Sequence, residues 1–326
     1  MKTTEKPSTP PQQNTIKKLT KEEKKQAKRE KKEAKRETKR LKKKEKKEGR
    51  RIRTIEPINA LVPFIMKRRN DSANMFEDEL DTKAADEYIA KKRKEGLKSF
   101  SMMHLLLAAY VRTVAEYPGI NRYIRGQRVM ARNRIIIVMN VKRELSLDKG
   151  ETVVKFFPQP TATAEEVYHH VEDTIREATE VPDTDFDRVL AKITKLPRFL
   201  LRGFIRFVEF LDYYGLAPYS LLKYSPFHAS LYVTSMGSLG LAPVFHHIYE
   251  FGNVPLFLSF GTTVKKAHIK SDGTVMQKKV FPVKVTCDDR ICDGHYYAVF
   301  FKTIRHYFRN PELLDVPAAV VNEDIP

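Results

Sequence analysis

Cysteine is scarce in this chain: Cys287 and Cys292 are the only two in 326 residues. Two thiols without metal-ligand companions exclude a disulfide scaffold, give no metal site, and fit a reducing cytoplasm. Long apolar runs are missing as well. No stretch approaches the roughly 18 apolar residues of a membrane span, and the N-terminus lacks the apolar core of a signal peptide. No internal repeat is visible. Acidic residues are in deficit, with 41 Asp and Glu against 60 Lys and Arg, a formal net charge of +19. That imbalance is local: residues 1–53 hold 23 basic and 8 acidic side chains, a net +15, and leave +4 for everything after them.

Residues 1–53 also contain no aromatic residue and almost none of the large β-branched residues that build a core, Ile16 and Ile52 alone. They read as a disordered or helical basic tail, a solvated tether first, with attraction to an anionic membrane, nucleic acid or acidic protein as alternatives. No aromatic platform or zinc-ligand spacing in the tail selects among these partners. Direct nucleic-acid binding by the remainder is disfavoured by its near-neutral charge. The 41% hydrophobic content suffices for a sizeable core. The expected organisation is a tail over 1–53, a folded domain over 54–316 and a C-terminal tail over 317–326.

After an apolar, proline-containing stretch near residue 57, acidic and helical residues run from Asp78 to about Arg93. Ser99 or Ser101 caps a buried helix from Met102 to about Glu116, which Pro118 ends. Strands are expected over 127–131, 134–141 and 152–157, and the Thr163–Glu166 capping box starts a helix reaching about Glu177. Further strands follow at 229–234 and 255–262. A turn at Ser271, Asp272 and Gly273 joins 264–270 to 280–286 in a hairpin, and a last helix spans about His295 to Phe308.

Residues 197–225 admit two readings. Leu200, Leu201, Phe204, Ile205, Val208 and Leu211 form an apolar face, while Arg198, Arg202 and Arg206 recur at i, i+4 on another side. A surface helix with a solvated basic edge ranks ahead of an interfacial membrane helix, which the aromatic density keeps open.

Three stretches carry a family resemblance: SMMHLLLAAYVRTVAEYPGINRYI, YVTSMGSLGLAPVFHHIYEFGNVPLFLSFGTT and DDRICDGHYYAVFFKTIRHYFRNPELL. Together they resemble the catalytic domain of 2-oxo acid dehydrogenase acyltransferases, whose fold is shared with chloramphenicol acetyltransferase. The resemblance implies an α/β fold, a two-layer mixed-sheet sandwich of the coenzyme A-dependent acyltransferase type, assembled as a homotrimer with active sites between subunits. It implies transfer of an acyl group from coenzyme A or a related thioester to an acceptor the sequence does not name. No lipoyl attachment is expected in this chain, because a highly charged stretch of 53 residues cannot build a lipoyl domain.

The family motif is HxxxDG, and here the histidine that acts as general base is replaced by Asp289. By the same resemblance Thr234 is the oxyanion donor, Asp293 a structural residue pairing with Arg68 or Arg69, and Ser235 and Gly237 weak candidates for binding coenzyme A. Aspartate titrates near 3.9 against about 8.5 for a thiol, so it serves as a base only if its surroundings raise it. His246 and His247 are candidates for a substitute base, each more simply read as structural. His228 is too far along its strand and His295 points elsewhere. Cys292 is read as a packing residue. The alternative to an enzyme is a non-catalytic trimeric scaffold, or an acyl-CoA-binding protein, that has lost the catalytic histidine.

Overall fold

The computed structural model describes residues 47–142, 151–180, 188 and 191–326. Residues 1–46 lie outside that set, and with them most of the expected tail. The remaining residues of that stretch belong to the folded unit, which runs from Lys47 to Pro326. Glu48 is buried and Gly49–Arg51 forms strand β1. The boundary expected at 54 therefore falls at 47. Local charge concealed this: Glu48 is drawn in by two arginines distant in sequence, Arg125 and Arg132. Gly49 is required by close approach, since a Cβ there would sit 2.4 Å from the Ala131 carbonyl oxygen.

Helix α1 (Pro57–Ile65) leads into β2 (Ala73–Asp81) and α2 (Lys83–Lys94). The stretch read as helical from Asp78 thus starts as a strand. Glu77, Asp78 and Glu79 are accommodated there by Lys284, Arg305 and Lys266, partners that no local pattern foretells. The apolar helix α3 (Met102–Glu116) begins at Ser101, which forms a capping box with His104. It is buried from His104 to Ala115. Burial also holds the His104 imidazole down at about 4, so it is neutral, and its Nε2 lies 3.1 Å from Glu172.

Strands β3 (Arg122–Arg125) and β4 (Arg128–Arg132) join β1 in a three-stranded sheet. The main sheet has seven strands. β5 (Ile137–Lys142) and β6 (Glu151–Phe156) precede α4 (Ala164–Glu180), α5 (Arg198–Tyr213) and α6 (Tyr219–Tyr224). β7 (Leu231–Ser235), β8 (Leu256–Phe260), β9 (Val264–Ile269), β10 (Val275–Asp288) and α7 (Gly294–Arg309) complete the fold. The sheet order is β2-β10-β8-β7-β5-β6, with β9 paired to β10. β5, β7 and β8 run parallel and the other pairs are antiparallel, so the sheet is mixed.

Alternation sorts the strands between two layers. Leu231, Val233, Leu258, Val283 and Val285 join α3, α4 and α7 in the main core. Ile136, Val138, Tyr232 and Phe257 point the other way into a smaller cluster covered by Tyr249. This is the expected two-layer mixed-sheet sandwich. The C-terminal stretch also docks: Asp324 accepts from Arg122 at 2.6 and 2.7 Å, and the Pro326 carbonyl accepts from the backbone of Arg53 and Thr54.

Candidate functional site

The end of β10 and the turn into α7 carry the densest polar arrangement in the matched motif. Asp288 is buried, and both of its carboxylate oxygens accept from Arg290, each at 2.8 Å. Arg69 Nε lies 3.7 Å from the same carboxylate. β10 ends at Asp288, and the Asp288–Arg290 pair spans the first turn residue, Asp289, whose side chain bonds elsewhere.

Asp289 is partly exposed. Its Oδ1 accepts from Asn74 Nδ2 at 2.6 Å, and its backbone N–H donates to the Ser72 carbonyl at 2.8 Å. Its carboxyl is raised above the ordinary carboxylate value, by loss of solvent first and by the nearby Asp288 and Asp293 charges, with the Asn74 hydrogen bond opposing. Asn74 was not among the residues singled out from sequence. It lies opposite Cys287 on β2, and nothing near residue 74 announces that.

The arginine partnership expected for Asp293 is corrected. Asp293 is exposed and caps α7, its Oδ1 accepting from the Tyr296 N–H at 2.8 Å. Arg69 goes to Asp288 instead. The helix start leaves Asp293 on the surface, whereas Asp288 occupies the interior position that a buried guanidinium needs to offset desolvation.

Thr234 sits on β7 opposite Ser259, which is opposite Lys284 on β10. Asp289 is five residues beyond Lys284. Within one chain the two candidates are therefore separated by about 16 Å along β10 and about 10 Å across two strand spacings. One protomer does not bring them together. Thr234 shares its sheet face with Tyr232 and Phe257, and the His246 ring stacks on Phe257 at 3.8 Å between centroids. His246 Nδ1 lies 2.9 Å from the His247 carbonyl, and burial lowers the proton affinity of its ring. His228 is buried between Asp212 and Ser225, and His295 is exposed on α7.

Ser235 and Gly237 line a cavity of about 450 Å³ with Arg93, Met102, Met103 and Thr262, and neither Thr234 nor Asp289 is part of its wall. Its volume lies within the range of small-molecule sites. Gly237 also has a packing reason to be glycine, because a Cβ would stand 2.9 Å from the Gly261 carbonyl. A second cavity, about 220 Å³, is lined by Arg69, Arg125, Asp212, Glu250 and Arg290, and by neither Thr234 nor Asp289. Burial pushes the Cys292 thiol up to about 12, so it is no ready nucleophile. Among the described residues no three His, Cys, Asp or Glu side chains converge as a metal site.

Residues 227–316, which include Thr234, Asp289 and Asp293, fit the sequence pattern of one family. The match is to the 2-oxoacid dehydrogenases acyltransferase (catalytic domain). Three solved structures share the acyltransferase fold over 79% of this chain. A probable dihydrolipoamide acetyltransferase from Listeria monocytogenes 4b F2365 is 16% identical, covered over 95% of its length, with a TM-score of 0.51. The cubic core of the pyruvate dehydrogenase multienzyme complex is 13% identical, covered over 88%, with a TM-score of 0.52. A dihydrolipoamide acetyltransferase from Azotobacter vinelandii is 14% identical, covered over 88%, with a TM-score of 0.52. At such identities the likeness is one of fold. No curated protein matches the chain.

Proposed function

We propose that the folded unit is an acyltransferase, moving an acyl group from a thioester of coenzyme A or a related carrier to an acceptor bearing a thiol or hydroxyl. The reading rests chiefly on Asp289: a partly exposed carboxylate of raised proton affinity, oriented by Asn74 and lying within the matched segment, to which the resemblance to HxxxDG gives the place of the base. Asp289 takes the proton from the acceptor, whose thiol or hydroxyl attacks the thioester carbonyl. The Thr234 hydroxyl donates to the resulting oxyanion. The C–S bond then breaks, and the departing thiolate receives the proton.

Because Asp289 and Thr234 stand far apart in one protomer, each site takes its base from one subunit and its oxyanion donor from the next. A homotrimer meets that requirement, and one of the structures sharing the fold comes from a cubic core. The replacement of histidine supports a second reading, a trimeric scaffold or acyl-CoA-binding protein without turnover. Calorimetric titration with coenzyme A and acetyl-CoA, followed by an acetyl-transfer assay with dihydrolipoamide as probe acceptor, separates the two. Transfer that is lost in Asp289→Asn upholds the enzyme. Binding without transfer decides for the scaffold.

A further inference from the structure

We infer that the α5–α6 hairpin seats this protein on an anionic lipid surface. In an ordinary surface helix the apolar stripe packs inward. In α5 only Val208 is buried. Phe199, Phe207 and Phe210 are 73%, 58% and 53% exposed, and Leu200 and Phe204 stand out beside them. At 100° per residue these five lie on one side of the helix. Tyr214, Leu216 and Tyr224 extend the exposed apolar surface through the connection and into α6.

Charge identifies the occupant. Arg198, Arg202 and Arg206 are exposed along the edge next to Phe199 and Phe210. Residues 191–224 contain six Lys and Arg but only Glu209 and Asp212 as acids, a net +4. This equals the entire net charge of residues 54–326, so the rest of that span is neutral. Asp212 is turned back into the protein, against Arg125 and His228. Aromatic and aliphatic side chains bordered by unpaired arginines suit a bilayer, where rings enter the acyl boundary and guanidiniums meet phosphate.

The hairpin is fixed at its base. Lys155 Nζ donates to the carbonyls of Leu222, Ser225 and His228, and Tyr213 Oη donates to Gln127 at 2.9 Å. Arg134 donates to the Tyr219 hydroxyl. The phenylalanines are thus presented outward on a rooted element. No helix among the described residues is long and apolar enough to cross a membrane, so α5 lies in the plane of the surface.

The chain contains no tryptophan, which makes Phe207→Trp in the full chain a lone emitter on the proposed face. Vesicles of equal parts phosphatidylcholine and phosphatidylserine should shift its emission to the blue, and brominated acyl chains should quench it. Adding Phe199→Ser and Phe210→Ser should lower lipid partition on the order of a hundredfold while leaving the thermal melt in place. Flotation with vesicles at unchanged emission would mean that the basic N-terminal residues bind alone, and would overturn the inference. Emission that is already blue without lipid and that follows protein concentration would assign the face to a second copy, also overturning it. No response to vesicles in either measurement would do the same.

Discussion

Arg290 grips both oxygens of Asp288 across the intervening Asp289, at 2.8 Å each. Its Nη1 also donates to the Met66 carbonyl at 3.1 Å, tying the end of β10 to the segment after α1. Breaking a buried pair by removing one partner leaves an uncompensated charge, so Arg290→Ala should destabilise the fold by about 3–5 kcal/mol. Chemical denaturation should show this as a fall in midpoint. Asp288→Asn combined with Arg290→Met should recover part of the loss.

Asp289→Asn keeps the shape and removes the proposed base, so acyl transfer should fall by roughly 10²–10⁴-fold. Because the carboxyl is raised from its ordinary value, the rate should decline on acidification at a pH above the usual carboxylate range. The Asn74 hydrogen bond lowers that affinity for protons. Asn74→Ala should therefore move the midpoint of the pH–rate profile upward, and Asp289→His should move it toward the range of an imidazole, near 6.5.

Thr234→Ala should reduce turnover by about 10²–10³-fold with little effect on stability. Since Thr234 and Asp289 belong to different protomers in the proposed site, a refolded mixture of Thr234→Ala and Asp289→Asn chains should regain activity that neither variant has alone. Failure to regain any, with mixed oligomers verified by mass, would exclude a site built between subunits.

Glu48 gives a prediction for acid stability. Burial alone would raise its carboxyl, but Arg132, His228, Arg125 and the Asn253 amide outweigh burial and hold it at about 2, below its ordinary 4.5. The unfolded chain takes up this proton first as the pH drops. The stabilisation is therefore complete above about 4.5 and lost as pH falls through about 2, a difference of about 3 kcal/mol. Thermal melts of Glu48→Gln and the parent chain should accordingly differ most near neutrality and converge in acid.

Both thiols are buried, and Cys292 titrates near 12. Iodoacetamide should leave the native protein unmodified at neutral pH and label both cysteines after unfolding, as intact mass will report. Cys292→Ser should retain transfer activity.

Much of the fold was legible because period and punctuation were strong. The apolar helix ended by Pro118, the Thr163–Glu166 capping box and the hairpin at Asp272–Gly273 all stand where the sequence places them. The elements that escaped are those stabilised from a distance. β2 has an acidic sequence neutralised by β9, β10 and α7, and β1 depends on Glu48 meeting Arg125 and Arg132.

The candidate site divides in the same way. The motif around Asp289 and the glycine-bearing turn after Thr234 are contiguous, so the sequence alone singled out those residues and the family resemblance. Asn74 on Asp289, Arg69 on Asp288 rather than Asp293, and the separation of Asp289 from Thr234 depend on strand register, which couples residues far apart in the chain. The amphipathic pattern of α5 was likewise written in its residues. Which way its phenylalanines face was settled only when the helix rooted through Val208 and Asp212, because a periodic pattern defines a face but not what lies against it.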